Sequence, residues 1–283
     1  MVSFAALIPS LGSLSAEGDG GHFPPTPEGF WQPLVTLGHI GDYPIVITRS
    51  MVVIMLSVAL LSWWLVSTTK RAAVVPGKGQ HYTELVYNFV RNDVAKDMIG
   101  SKDFLRFVPL LFSLFVLILL NNLFGIIPPI QFPTMSRIGF PIALTLVVYV
   151  VYHWIGIKKQ HGFLNYVKWM IPPGIPGWLL PLIVFLELLT FFITRPLTLA
   201  LRLFGNMFAG HMLLAVFIIG GWELVQADTF ALKFVALPAW LMAFVMTLFE
   251  GLVQFLQAFV FTLLAASYFG SAVADEHLSL IHI

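Results

Sequence analysis

The two longest apolar segments of the chain, residues 178–220 and 231–270, constrain its fold most strongly. As a single α-helix, each would be about 60 Å long at 1.5 Å per residue. The hydrocarbon core of a bilayer is only about 30 Å thick. Each segment is therefore either two short membrane spans or one strongly tilted helix, and Arg195-Pro196 is a candidate for a turn inside the first. Periodicity leaves both arrangements open.

Three shorter apolar runs, at about residues 45–66, 104–127 and 138–157, also have the length of a membrane span. With 58% hydrophobic and 10% charged residues, the chain is too apolar for a water-soluble domain. We therefore predict an all-α, polytopic membrane protein. It has about five membrane helices if each long segment crosses once, and residues 44–283 form a single membrane-embedded domain.

Residues 1–43 are rich in Gly, Pro and Ser and contain no Lys or Arg. We expect an extracytoplasmic N-terminal segment that is flexible or lies on the surface. A cleaved signal peptide is the alternative, because residues 4–14 are apolar and small residues follow at 13–16. The segment lacks the basic start that such peptides have.

Apolar residues recur at helical spacing between residues 82 and 98, with polar and charged residues at the other positions. This pattern predicts an amphipathic helix that lies on the membrane surface. The apolar positions are Tyr82, Leu85, Val86, Phe89, Val90, Val94 and Met98.

The distribution of Lys and Arg predicts the orientation. Cytoplasmic loops of membrane proteins are enriched in these residues. With the N-terminus outside and the C-terminus cytoplasmic, the outer side holds only Arg49, Arg137 and Lys233. The cytoplasmic side then holds Lys70, Arg71, Lys78, Arg91, Lys96, Lys102, Arg106, Lys158, Lys159 and Lys168.

Polar residues inside the first long segment form one stripe. On an ideal helix, Arg195, Thr198, Arg202 and Asn206 fall within an arc of about 80°. An arginine at the bilayer centre costs about 2.5–3.5 kcal/mol on insertion scales, and such residues usually mark ion or proton pathways. The alternative is an arginine that snorkels to the headgroups. This alternative is stronger for Arg195, near one end of the segment, than for Arg202.

The last segment has a second polar stripe, formed by Thr247, Glu250, Gln254 and Gln257. These residues also fall within an arc of about 80° on an ideal helix. A glutamate in lipid is costly and usually functional. The alternative is a hydrogen-bonded cluster that only holds helices together.

The two stripes match in depth if the long segments form an antiparallel hairpin with a loop near residue 230. The matching pairs are Arg202 with Gln257, Asn206 with Gln254, and His211 with Glu250. A histidine beside a glutamate is a candidate proton relay, because imidazole changes charge near neutral pH. His211 is nine residues from Arg202, on the opposite face of an ideal helix. Either a π-bulge lies between them or they face different surfaces.

Glu187 precedes Arg202 by fifteen residues and lies within about 60° of it around an ideal helix. It either belongs to an inner access path or is a partner of Arg195. Both interpretations stay open.

Several classes of function are disfavoured. A net charge of +1 argues against nucleic-acid binding. The chain has no cysteine, no phosphate-binding glycine loop and no dinucleotide fingerprint, so we expect no cofactor or metal. A membrane hydrolase would need a nucleophile–base pair or metal cluster, and the histidines are scattered. A secondary transporter would have internal repeats, and none is evident.

The segment from Arg195 to His211, RPLTLALRLFGNMFAGH, resembles subunit a of the F-type ATP synthase membrane sector. Glu250, the QFLQAFVF run from Gln254, and the ADEH tail at residues 274–277 support the resemblance, which covers about residues 45–277. It implies one N-terminal span, a surface helix, a hairpin of two spans, and two long helices strongly tilted against the rotating c-ring. It also implies a bacterial-type inner (plasma) membrane and a peripheral-stalk subunit b as partners.

The resemblance further implies a proton-translocating stator subunit that is not itself catalytic. Arg202 would face the ring carboxylates, with Asn206 and Gln257 nearby, and His211 with Glu250 would belong to the outer half-channel. Many bacterial relatives have the reverse order, acidic residue first and histidine second. Glu187 fits only approximately, because its spacing to Arg195 is one residue longer than usual. A sodium-coupled version stays open, since the ring largely selects the ion.

Overall fold

A computed structural model describes residues 33–40, 43–70, 73, 75–127, 134–171, 176–227 and 229–273. Five of its helices are long and apolar enough to cross a membrane. This confirms the predicted all-α, polytopic class. The predicted N-terminal segment at 1–43 and the tail from residue 274 fall largely outside the described residues.

A β-hairpin that the sequence did not predict precedes the first helix. Strands β1 (Pro33–Ile40) and β2 (Tyr43–Thr48) pair antiparallel. Helix α1 then runs from Arg49 to Lys70. It begins four residues after the start of the predicted apolar run, because residues 45–48 belong to strand β2. At this junction, the hydroxyls of Thr48 and Ser50 lie 3.0 Å apart in a hydrogen bond.

The predicted surface helix is present as α2 (Lys78–Asn88), a π-helical stretch at Phe89–Lys96, and the short α3 (Asp97–Ile99). Its N-terminal half exposes Tyr82 and Leu85, while Val90 and Val94 in the π-helical stretch are fully buried. The predicted apolar positions are thus exposed in the first half of this segment and packed in the second half, and its location on the membrane surface stays a prediction.

The middle of the chain forms two spans. Helix α4 covers Val108–Ile126 and α5 covers Gly139–Lys159. Short 3₁₀ turns lie at Phe104–Arg106 and Thr134–Ser136. The connector after α5 contains helix α6 (Phe163–Met170), which the sequence did not predict.

The first long segment is one helical stretch made of α7 (Leu180–Leu189), a π-helical turn at Thr190–Thr194, and α8 (Arg195–Gln226). A π-turn holds one more residue than an α-turn. Pro196 has no N–H to donate to the preceding turn. It therefore fits near the end of the π-turn, where the α-helical hydrogen-bond pattern is already interrupted.

The second long segment is the single helix α9 (Phe230–Val273). Both long segments therefore extend without a mid-segment turn, and Arg195-Pro196 does not break the first. At 1.5 Å per residue, each is longer than an upright crossing of a bilayer core of about 30 Å requires.

The chain forms two compact units, and each draws on several segments. The first comprises Met1–Ala59, Leu119–Arg137 and Phe204–Leu256. The second comprises Leu60–Ile118, Ile138–Leu203 and Gln257–Ile283. Helices α1, α4, α8 and α9 contribute to both units, so no linker in the sequence marks the division.

Close helix contacts in the second unit depend on glycine. A Cβ on Gly270 of α9 would clash with the backbone of Met98 in α3. A Cβ on Gly156 of α5 would clash with the ring of Tyr166 in α6. Small residues let helices approach closely in membranes, where apolar burial gives little drive for association.

Candidate functional site

His211 and Glu250 form a buried pair in the first unit. Their atoms Nδ1 and Oε1 lie 2.8 Å apart, and the side chains are 8% and 4% exposed. The imidazole also contacts two backbone carbonyls: Nε2 lies 3.0 Å from Gly125 O in α4, and Nδ1 lies 3.2 Å from Met207 O. The predicted contact between His211 and Glu250 is thus present in the structure.

These contacts orient the imidazole ring. A carbonyl oxygen only accepts, so Nε2 of His211 donates an N–H to Gly125. The other nitrogen, Nδ1, faces Glu250 Oε1 and the Met207 carbonyl. The contact therefore brings two side chains that can each bind a proton together in a buried position.

Gln254 extends the site along α9. Its Nε2 lies 3.2 Å from Glu250 Oε1 and 3.1 Å from Met207 Sδ. Its backbone carbonyl accepts a 3.2 Å hydrogen bond from Asn122 Nδ2 in α4. Two buried acceptors, Glu250 Oε2 and Asn122 Oδ1, have no hydrogen-bond partner in the described part of the chain. A buried acceptor left in this way is a position where water or an incoming proton can bind.

Contacts in this unit fix the register of the α8–α9 hairpin. Met207 contacts Gln254, His211 contacts Glu250, and Gly221 lies against Trp240. In each pair, the two residue numbers add to the same total. This is the constant sum that an antiparallel hairpin requires, as the sequence predicted for His211 and Glu250. The depth matches of Arg202 with Gln257 and of Asn206 with Gln254 stay predictions.

Two glycines leave room for the pair. A Cβ on Gly125 would lie 2.7 Å from Cε1 of His211. A Cβ on Gly210 would lie 2.8 Å from Oε1 of Glu250. Both distances are shorter than real Cβ atoms tolerate, so any larger residue would displace the imidazole or the carboxylate.

A second buried polar chain links α1 to α4 in the same unit. Asn121 Nδ2 donates to Ser57 Oγ at 2.9 Å, and Ser57 Oγ donates to Ile54 O at 2.7 Å. Thr134 Oγ1 donates to Asn121 Oδ1 at 3.3 Å. Asn121, Ser57 and Thr134 are fully buried. Buried polar groups paired in this way specify how helices pack.

The remaining predicted site residues occupy different environments. On α8, Arg202 is partly exposed, and Thr198 and Asn206 are exposed. On α9, Gln257 is buried, and Glu187 on α7 is partly exposed. Thr247 donates to Ala243 O, one turn earlier in its own helix, at 2.8 Å.

Helix α8 is regular between Arg202 and His211, and the π-turn of this stretch precedes Arg195. Of the two explanations for their angular separation, a π-bulge between them is therefore excluded. Nine residues of regular helix turn the two side chains to opposite faces. His211 is buried and Arg202 partly exposed, in agreement with different surroundings.

Sequence reasoning missed several partners of the site. The carbonyl of Gly125 and the space above Gly125 and Gly210 have no sequence signature. The adjacent amides Asn121-Asn122 in an otherwise apolar span were a visible signal, because side-chain amides in lipid usually bond to another helix.

The fold and the site define an integral membrane protein with a buried histidine–glutamate pair between long helices. Residues 49–270 match the family model described as "ATP synthase A chain". Two curated relatives are both named "ATP synthase subunit a". The Nocardioides protein is 44% identical over 93% of this chain and 97% of its own length. The Pseudarthrobacter chlorophenolicus protein is 41% identical over 81% and 86%.

A third relative of the same name, from Rhodopseudomonas palustris, is 38% identical over 86% of this chain and 95% of its own length. The chain belongs to the ATP synthase A chain family. It is thus a multi-pass membrane protein of the synthase membrane sector, a proton-channel subunit that is not catalytic by itself.

Proposed function

We propose that the chain is the stator subunit that moves protons through two offset half-channels to and from the carboxylates of a rotating c-ring. Ring rotation is thereby coupled to ATP synthesis. The observation that supports this best is the buried contact of 2.8 Å between His211 Nδ1 and Glu250 Oε1. A pair of proton-exchanging groups inside membrane helices is costly and serves ion movement in most proteins that have one.

The outer half-channel delivers protons through this pair. A proton that binds Oε2 of Glu250, while the shared proton lies on Nδ1 of His211, gives the pair a net positive charge. In a low-dielectric site this charge is unfavourable, so one proton leaves in the direction of the ring. Gln254 stabilises the carboxylate through Oε1, and Gly125 keeps one imidazole nitrogen protonated throughout.

Arg202 separates the two half-channels. A guanidinium is effectively never deprotonated in proteins, so it cannot pass a proton on. Its positive field favours ionisation of a nearby carboxylic acid. An arriving ring carboxyl therefore loses its proton beside Arg202. Thr198, Asn206 and Gln257 supply polar contacts along this path, with Arg195 as an auxiliary group and Glu187 on the inner access path.

The proposed assembly has further consequences. The open face of α8, with Thr198 and Asn206 exposed and Arg202 at its edge, faces the c-ring. A peripheral-stalk subunit b holds the chain against rotation. The chain lies in a bacterial-type inner membrane with its N-terminus outside and C-terminus cytoplasmic, as the Lys and Arg distribution favours. Residues 1–43 are then extracytoplasmic, and residues 44–283 act as one membrane domain.

The test is ATP-driven acidification of inverted vesicles that contain the whole assembled complex, with and without sodium. Wild-type vesicles should acidify without sodium, while Arg202→Ala vesicles should not acidify at equal complex content. Acidification by the Arg202→Ala protein at the normal rate would contradict the proposal. Strict dependence on sodium would show instead that the subunit serves a sodium-coupled ring.

A further inference from the structure

Arg195 lies in a cage of aromatic rings within the second unit. Its Cζ atom is 3.8 Å from the ring centroid of Phe191, 5.3 Å from that of Tyr268 and 6.0 Å from that of Tyr152. Its Nη1 donates a 3.1 Å hydrogen bond to the hydroxyl of Tyr152. In the described residues, no carboxylate lies within ion-pair distance of this guanidinium. The charge of Arg195 is therefore held by ring faces and one phenol.

The cage connects three helical segments. Phe191 belongs to the π-turn before α8, Tyr152 to α5, and Tyr268 to α9. The rings of Tyr152 and Phe191 are stacked with an interplanar angle of 11°, and those of Tyr152 and Tyr268 lie 6.0 Å apart. One arginine thus fixes the start of α8 against two neighbouring helices.

A second aromatic layer supports the cage from α5. His153 stacks on Phe192 at 4.9 Å with an interplanar angle of 6°, and its Nδ1 is hydrogen-bonded to the hydroxyl of Tyr166 at 2.9 Å. Tyr166, in α6, is fully buried, and this burial raises the pKa of its phenol, which stays protonated. The layer is thus a close-packed support whose phenol is uncharged.

The rotation of α8 about its own axis determines the surroundings of the Arg202 side chain. Leu199 and Leu203, on one side of it around the helix, are 1% and 0% exposed. Thr198, on the other side, is exposed. Arg202 thus lies at the boundary between the packed and the open face. Arg195 precedes it by seven residues, which places the two within about 20° of each other around the helix.

We propose that Arg195 is a positioning residue for Arg202: its aromatic cage sets the rotation of α8 and so keeps the second arginine at the edge of the packed face. This inference rests on the role proposed above for Arg202. The cage requires a planar cation that can lie on ring faces, which arginine provides and lysine does not. The competing explanation is that Arg195 acts only through its charge, as a second barrier to protons.

The first experiment compares Arg195→Lys with Arg195→Gln in vesicles of the assembled complex. Positioning predicts that both lower ATP-driven pumping by about tenfold, as for a slightly misplaced active group, with little passive leak. Tyr152→Phe, which keeps the ring of the cage and removes the hydroxyl that accepts from Arg195, should have a smaller effect. Arg106→Gln is the control for loss of a positive charge, because Arg106 is exposed and pairs with Asp103. Normal pumping by Arg195→Lys would overturn the proposal.

The second experiment separates a barrier from a positioning group. In the Arg202→Ala background, passive leak should be the same with Arg195 and with Arg195→Gln. A larger leak in the double variant would show an independent charge barrier and overturn the proposal. Normal pumping by Arg202→Ala alone would contradict the proposed function itself. A larger leak in the double variant would contradict only the positioning role of Arg195, so the two outcomes are distinguishable.

The third measurement reports helix position directly. The chain has no cysteine, so spin labels can be placed at Lys158 and Leu197, which are both exposed, in complexes whose other subunits lack cysteine. Leu197 is about 140° around the helix from Arg202, so its label avoids the stripe. We expect a narrow distance distribution with Arg195 and a broadened or shifted one with Arg195→Lys. An unchanged distribution together with reduced pumping would overturn the proposal.

Discussion

His211 Nδ1 lies 2.8 Å from Glu250 Oε1, and the only proton-fixing contact of the other imidazole nitrogen in the described structure is the carbonyl of Gly125, at 3.0 Å. The Gly125 carbonyl fixes the imidazole through Nε2 and so turns Nδ1 toward the carboxylate. Two side chains that can each bind a proton thus meet in a fixed orientation between α8 and α9.

Glu250→Gln should lower ATP-driven proton pumping by about 100-fold, within the range for removal of a proton-transfer group. The amide of Gln cannot accept and release the shared proton. Pumping is measured in vesicles at equal complex content. The exchanged double variant, His211→Glu with Glu250→His, keeps one shared proton and should recover part of the activity. Normal pumping by Glu250→Gln would leave the pair with a structural role only.

Gly125→Ala and Gly210→Ala should each slow pumping, because the added methyl group displaces His211 or Glu250. Overpacking of this kind destabilises by about 1–3 kcal/mol, so the unfolding temperature of the complex should also fall. Gly251→Ala is the matched control: it is next to Glu250 in sequence, and its Cβ would lie 3.8 Å from Ile126, an ordinary contact. Equal pumping rates and unfolding temperatures for all three variants would show that Gly125 and Gly210 are not required to make room for the pair.

Arg202→Ala should abolish both ATP synthesis and ATP-driven pumping, and it should permit passive proton leak. Arg202→Lys keeps a charge but can lose its proton when buried, so we expect it to block coupled transport with a smaller leak. Proton flux in both directions is the measurement. Loss of assembled complex, rather than loss of coupling, would favour a structural role for this arginine.

Single cysteines test the orientation, since the chain has none of its own. Cysteines placed at residues 5 and 225 should react with a membrane-impermeant reagent in whole cells, and one at residue 280 should react only after lysis. The expectation follows from the excess of Lys and Arg on the predicted cytoplasmic side. Labelling of residue 280 from outside would refute the five-span topology.

The β-hairpin and α6 were both missed from the sequence, for different reasons. Strands β1 and β2 had a signal that was passed over, because Gly41-Asp42 stands between two runs rich in Val, Ile and Thr, a pattern typical of a two-residue hairpin turn. Helix α6 has only eight residues, too few to be stable without its packing against α5, where Gly156 makes room for Tyr166. Short elements of this kind are selected by tertiary contacts.

The sequence by itself determined the membrane spans, the surface helix, and the equal depth of His211 and Glu250. These follow from apolar length and from counting residues along a hairpin. Only the tertiary structure decided that Gly125 holds the imidazole, that Asn121 joins Ser57, and that three aromatic rings surround Arg195. The physical reason is that membrane helices are apolar on nearly every face, so periodicity does not show which face meets a neighbour. Close packing and a few interhelical hydrogen bonds make that choice.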